Sequence, residues 1–200
     1  MMFTRTVTFT EATDVDAGLR YLQETVVPLL RGQNGFRGVV ASADRSGGVM
    51  GVLSLWQTEA DRDASESPLE KTRAQAQRVI GGKVTVEHFE ELLVEVDRAP
   101  AVGSSLLLRR TSMDPAKIDE NLDYFRREVL PAITSGSGFC LVRNMINRQT
   151  GAGMVGTVWA DEAAMDAAAE AGEARRQQAA QHGVTFGEQS KREIVFVDLL

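Results

Sequence analysis

The segment PLLRGQNGF at residues 28–36 returns as PAITSGSGF at residues 131–139, 103 positions on (131 minus 28). Working outward from this pair, the same offset links Tyr21 to Tyr124 and Trp56 to Trp159. It also links Asp16 to Asp119, Arg45 to Arg148, Gly48 to Gly151 and Val94 to Val197, with no gap needed. A period this long marks a duplicated domain, since solenoid repeats recur every 20 to 50 residues or so.

Each half reads as strand, helix, strand, strand, helix, strand. Val7 and Phe9 alternate with Thr6 and Thr8 in an opening strand. Thr13 or Asp14 caps a helix whose apolar residues Leu19, Leu22, Val26 and Leu29 recur at helical spacing. Pro28, late in that helix, supplies no N–H and tightens or kinks its last turns, and Pro131 repeats the effect. The runs 36–43 and 49–56 flank a loop rich in glycine and aspartate and form a hairpin, matched by 139–146 and 154–159. A second helix follows each tryptophan. Pro68 is expected to divide the first copy, whereas 163–180, rich in Ala, Glu, Arg and Gln, reads as one clean helix closed by Gly183. Final strands cover about 84–96 and 190–199.

This order is the ferredoxin-like unit, an antiparallel sheet with helices on one face and the other face uncovered. Two such units can cover each other. The expected fold is therefore α+β: two tandem ferredoxin-like βαββαβ repeats forming an intramolecular α/β-barrel, with antiparallel sheets inside and helices outside. The repeats are placed at 1–97 and 104–200, joined by the linker 98–103, which contains Pro100 and Gly103. A monomeric pseudo-dimer and a homodimer with exchanged halves satisfy the same contacts.

Composition sets limits on partners. A net charge of −6 and the lack of a basic stripe argue against a nucleic-acid partner. The opening Met1-Met2-Phe3-Thr4-Arg5 lacks a basic region followed by an apolar run, and no stretch has the length of a membrane span, so no membrane partner is expected. The single cysteine, Cys140, has no internal disulfide partner, which points to the cytoplasm.

The chain resembles the antibiotic-biosynthesis-monooxygenase-like proteins of the dimeric α/β-barrel superfamily. The resemblance rests on Pro-x6-Gly-Phe between helix and strand (Pro28 to Phe36, Pro131 to Phe139). It rests also on the tryptophan before an acidic, alanine-containing helix (Trp56 to Ala60, Trp159 to Ala163). It implies a cofactor-independent monooxygenase acting on a small aromatic or quinol-type ligand, or a non-catalytic member that binds a small apolar ligand or is structural. Members that cleave haem are similar to one another in carrying an asparagine on the first strand and a tryptophan and a histidine on the second helix. Here neither first strand has the asparagine and neither second helix the tryptophan, which disfavours haem degradation.

Oxygenation without a cofactor needs an acidic, electron-rich substrate and a group that stabilises its anion. Trp159 and Trp56 each offer a flat wall and one N–H donor; as plain core residues they would plug the junction of sheet and helix. Tyr124 and Tyr21 offer phenols on the first helices, or pack their rings and leave the hydroxyl at the surface. Arg143 and Asn144 replace Val40 and Ala41 of the first repeat, so the second half can hold a polar pocket with Arg143 as oxyanion stabiliser; the alternative is a solvent-facing pair. His88 shares a strand face with Glu90, a base with its orienting carboxylate or a structural histidine; the second repeat has Lys191 there. Two distant histidines and one cysteine make no metal site, and no cofactor motif appears.

Overall fold

The computed structural model describes residues 2–200; Met1, part of the stretch read for a targeting signal, lies outside them. The first half contains β1 (Met2–Thr10), α1 (Val15–Tyr21), α2 (Val27–Arg31), β2 (Phe36–Asp44), β3 (Val49–Trp56), α3 (Glu59–Ala64), α4 (Glu66–Ile80) and β4 (Lys83–Val96). The second half contains β5 (Ser105–Ser112), α5 (Ile118–Tyr124), α6 (Leu130–Thr134), β6 (Phe139–Ile146), β7 (Ala152–Trp159), α7 (Glu162–Ala171), α8 (Glu173–Gln181) and β8 (Thr185–Leu199). The strands follow the order β1-β3-β2-β8-β5-β7-β6-β4 in a closed antiparallel barrel with the helices outside.

Proline shapes the first helix of each half. Leu22–Val26 and Phe125–Val129 are π-helical, each directly ahead of a short α-helix with proline in its first turn. In a regular helix the ring of Pro28 would press on the Glu24 carbonyl and leave it without a donor. Widening the turn relieves both: the Val27 N–H donates to the Leu22 carbonyl five residues back, and Leu130 donates to Phe125 in the same way.

The described residues pack as two compact units, residues 2–88 with 193–200, and residues 89–192. They cut across the sequence repeat because the end of each long last strand pairs in the other unit. Gly38–Ala43 of β2 pair with Glu193–Leu199 of β8 in the first unit. Leu141–Ile146 of β6 pair with Glu90–Val96 of β4 in the second. The first unit's core is built on Phe9, Phe36, Met50, Trp56, Leu69 and Ile80, and the second's on Phe125, Phe139, Val142, Trp159 and Met165.

Three expectations are corrected. The offset of 103 fails in the opening strands: Phe3 pairs with Trp56 but Ser105 with Trp159, so β1 and β5 correspond at an offset of 102 (105 minus 3). An extra residue before α5 causes this, and it exchanges the two faces of β5 relative to a gapless alignment. The second copy of the late helix is also broken, at Gly172, while the break in the first copy falls at Ser65 ahead of Pro68. Finally, both last strands carry a bulge, at Leu92 and at Val195, so the alternation that joins His88 and Glu90 to Val94 and Val96 changes phase.

Candidate functional site

A cavity of about 550 Å³ lies within the second unit, between its strands and its helices. Its counterpart in the first unit measures about 70 Å³. Side-chain volume accounts for the contrast. Aligned by strand register and by the helical offset, Phe9 of the first unit becomes Thr111, Leu69 becomes Gly172, and Ile80 becomes Gly183. Phe9, Leu69 and Ile80 are each at most 6% exposed and fill the first unit's space. A Cβ on Gly18 would meet Ile80 Cγ1 at 2.5 Å, so that wall is closed, whereas the same helical position in the second unit carries Asn121.

The cavity wall is mostly apolar, with Leu92, Leu107, Phe125, Ile133, Trp159 and Phe186 prominent. Trp159 is 2% exposed and sits edge-on to Phe139 at 5.8 Å between centroids. Its indole N–H donates to Thr157 Oγ1 at 2.9 Å, as that of Trp56 donates to Ser54 Oγ at 3.0 Å. Trp159 is therefore a wall whose donor is already engaged, while Trp56, its donor engaged likewise, lines neither cavity. Trp56 is fully buried and packs against Phe36, with the Arg5 guanidinium 5.4 Å from its ring.

Tyr124 and Asn144 lie on the cavity wall. Tyr124 also stacks on the exposed His182 at 4.3 Å between centroids. Tyr21 lines the small first cavity, and its hydroxyl reaches the Thr72 carbonyl at 3.5 Å. Arg143 faces elsewhere. It pairs with Glu91 at 2.7 Å, the two being 13% and 8% exposed, and it is not part of the wall. Burial lowers its pKa and Glu91 opposes that. The replacement of Val40-Ala41 thus brings Asn144 to the cavity and sends Arg143 to a buried ion pair.

His88 meets Glu66 at 2.8 Å, so the carboxylate beside it is Glu66 rather than Glu90, which pairs with Arg148. Glu66 also binds Arg5 and Arg73, at 2.7 Å each. His88 lines neither cavity. Among the described residues no group of three or more His, Cys, Asp or Glu is gathered in the manner of a metal site.

The sequence reading missed Arg109, Asn121, Arg175 and Arg176, all on the wall of the larger cavity. Arg176 pairs with Glu173 and donates to the Ala169 carbonyl at 3.2 Å. Burial lowers the pKa of Arg109, nearby Arg176 lowers it further, and Glu173 opposes them. Asn121 Nδ2 donates to the Lys117 carbonyl at 3.0 Å, while its Oδ1 is buried without a hydrogen-bond partner. Arg109 was legible only after the one-residue shift in β5, which aligns it with Val7 of β1 instead of Thr6.

A closed antiparallel barrel with helices outside and a pocket between sheet and helices defines a ferredoxin-like α/β-barrel fold. No protein-family model matches the chain. The uncharacterized protein Rv2557 of Mycobacterium tuberculosis is 27% identical over 137 residues, 68% of this chain and 61% of that protein. The chain thus spans about three fifths of that relative's length. Among solved structures, an anthrone oxidase-like protein superposes with a TM-score of 0.72 at 13% identity, covering 99% of this chain and 93% of its own. A ferredoxin-fold protein of Listeria monocytogenes related to antibiotic biosynthesis monooxygenases gives 0.55 at 10% identity, with 98% and 96% covered. LmHde, a heme-degrading enzyme of Listeria monocytogenes, gives 0.52 at 12% identity, with 96% and 98% covered. At such identities the likeness is one of fold.

Proposed function

We propose that the second unit's cavity binds a small aromatic or quinol-type ligand and oxygenates it without a cofactor. The 550 Å³ cavity carries this reading, because it is open in one unit only and joins a flat indole wall to Tyr124, Asn144 and Arg109. In the reaction envisaged, an activated C–H of an anthrone-like substrate loses its proton. The carbanion passes electrons to O2 to give a hydroperoxide at that carbon, and loss of water leaves a carbonyl. One oxygen atom enters the product and the other leaves in water. The protein's part is to favour the ionised substrate: a cation beside the developing oxyanion is worth most where water is excluded.

The test is oxygen uptake on shifting anaerobic enzyme and a panel of anthrone-like phenols to air. Enzyme-dependent product is expected, lost in Thr111→Phe, which refills the cavity, and kept in Tyr21→Phe, which alters the first unit alone. No rate above background across the panel would overturn oxygenation. A second reading, binding without turnover, draws support from the engaged indole donors and from a cavity wall without imidazole. It predicts saturable ligand binding with no oxygen consumed. The same wall disfavours haem, and a hemin titration is expected to give no shifted absorption band.

A further inference from the structure

The cavity's charged groups are mostly of one sign. Arg109, Arg175 and Arg176 stand on its wall against one carboxylate, Asp161. Asp161 is already committed to the first turn of α7, where it accepts from the Ala164 N–H at 2.8 Å, and Arg176 is committed to Glu173. Arg109 and Arg175 make no hydrogen bond or ion pair among the described residues, and both are half-buried. Glu173, whose charge reaches Arg109, is itself paired with Arg176, and a guanidinium held on an apolar wall with no direct partner is costly, a cost that falls once an anion pairs with it.

The first unit supplies a control within the same chain. At the position of Arg109 it has Val7, at Arg175 it has Thr72, and at Asn121 it has Gly18. The two cations facing the small cavity, Arg5 and Arg73, are both paired with Glu66, and Arg5 also donates to Ser65 Oγ at 2.9 Å. Among the described residues, cations without a direct partner thus line the open space, while those lining the filled one are paired. Asn121 adds an uncommitted acceptor: its Nδ2 is fixed by the Lys117 carbonyl, so the orphaned atom is the oxygen.

We infer that the ligand of this cavity is an aromatic carboxylic acid, its ring system against Trp159 and its carboxylate on Arg109 and Arg175. This rests on the reading of the cavity as a small-aromatic-ligand site and adds the charge that reading leaves open. A planar guanidinium meets a carboxylate through two parallel N–H donors, a geometry a lone phenolate oxygen cannot fill. Asn121 favours acids that also carry a hydroxyl.

The test compares anthracene-2-carboxylate with its methyl ester by fluorescence titration of the full chain. The acid is expected to bind about tenfold to a hundredfold more tightly, the range for hydrogen bonds to a charged group. Arg109→Gln and Arg175→Gln should each remove part of the preference and the double variant should bring the acid down to the level of the ester, with the ester unaffected throughout; Arg109→Lys should lose less than Arg109→Gln. Circular dichroism melting of each variant checks that the fold is retained. Equal binding of acid and ester by the wild-type chain overturns the carboxylate assignment and leaves the aromatic site standing. Failure of both to bind overturns the site itself, and with it this inference. A preference for the acid that is undiminished in Arg109→Gln, or that survives in the double variant, also overturns the assignment to these arginines.

Discussion

Arg5 is 2% exposed, and what surrounds it decides the fate of the first unit's pocket. Its guanidinium binds Glu66, Ser65 Oγ and the Arg62 carbonyl, lies by the Trp56 ring, and leaves no room for a ligand anion. Burial pushes the Glu66 carboxyl up, but the hydrogen bond from Arg73 and the charge of Arg5 outweigh it, so Glu66 titrates below its ordinary 4.5. A carboxyl depressed by folding adds stability above its unfolded pKa, and that stability is lost as pH falls through the folded value. Glu66→Gln should therefore cost about 2 kcal/mol at pH 7 by urea titration, less than a fully buried pair because Glu66 is one-third exposed. The gap between variant and wild type should narrow as pH drops below 4.5. A gap independent of pH would show that the carboxylate's charge plays no part.

At the scale of elements, the Pro-x6-Gly-Phe turn and the tryptophan belong to one device. Gly35 and Gly138 have φ of 69° and 76°, the left-handed region. Their carbonyls accept from the N–H groups of Gln57 and Ala160, the residues that follow Trp56 and Trp159, at 2.7 and 2.8 Å. A Cβ at Gly138 would approach that of Ala164 to 2.9 Å, and one at Gly35 would run into the Asp61 side chain. Gly138→Ala should cost about 1–2 kcal/mol from backbone strain, with Gly35→Ala costing more, both read as shifts in the urea midpoint. This motif was legible because identical residues mark it. The cavity was not, since it comes from what the halves do not share, the sizes of Phe9 and Thr111, Leu69 and Gly172, Ile80 and Gly183. The strands β1 and β5 share too few identities to reveal the one-residue shift that turns Arg109 inward. The contrast predicts opposite responses: Phe9→Ala should destabilise by about 3–5 kcal/mol, while Thr111→Phe should change stability by less than about 1.5 kcal/mol and abolish ligand binding.

At the scale of the whole molecule, the repeat of the sequence and the compact unit of the fold are different segments. A chain cut at the linker 98–103 leaves the first repeat without Glu193–Leu199, so the β2 edge from Gly38 to Ala43 loses its partner strand. Six buried or half-buried residues of that edge would then face solvent with unpaired backbone groups, and an apolar strand edge of this kind recruits another chain. The last strands, of 14 and 15 residues, are longer than the 8 and 9 residues of the hairpin strands because they must serve both units. Residues 1–97 alone should therefore show no cooperative monomeric unfolding and should elute as dimers or larger species. Mixed one to one with residues 98–200, they should recover a single cooperative transition and the cavity's ligand binding. A monomeric fragment that melts cooperatively by itself would mean that each repeat closes its own sheet, and that the exchange of last strands is dispensable for the stability of either unit.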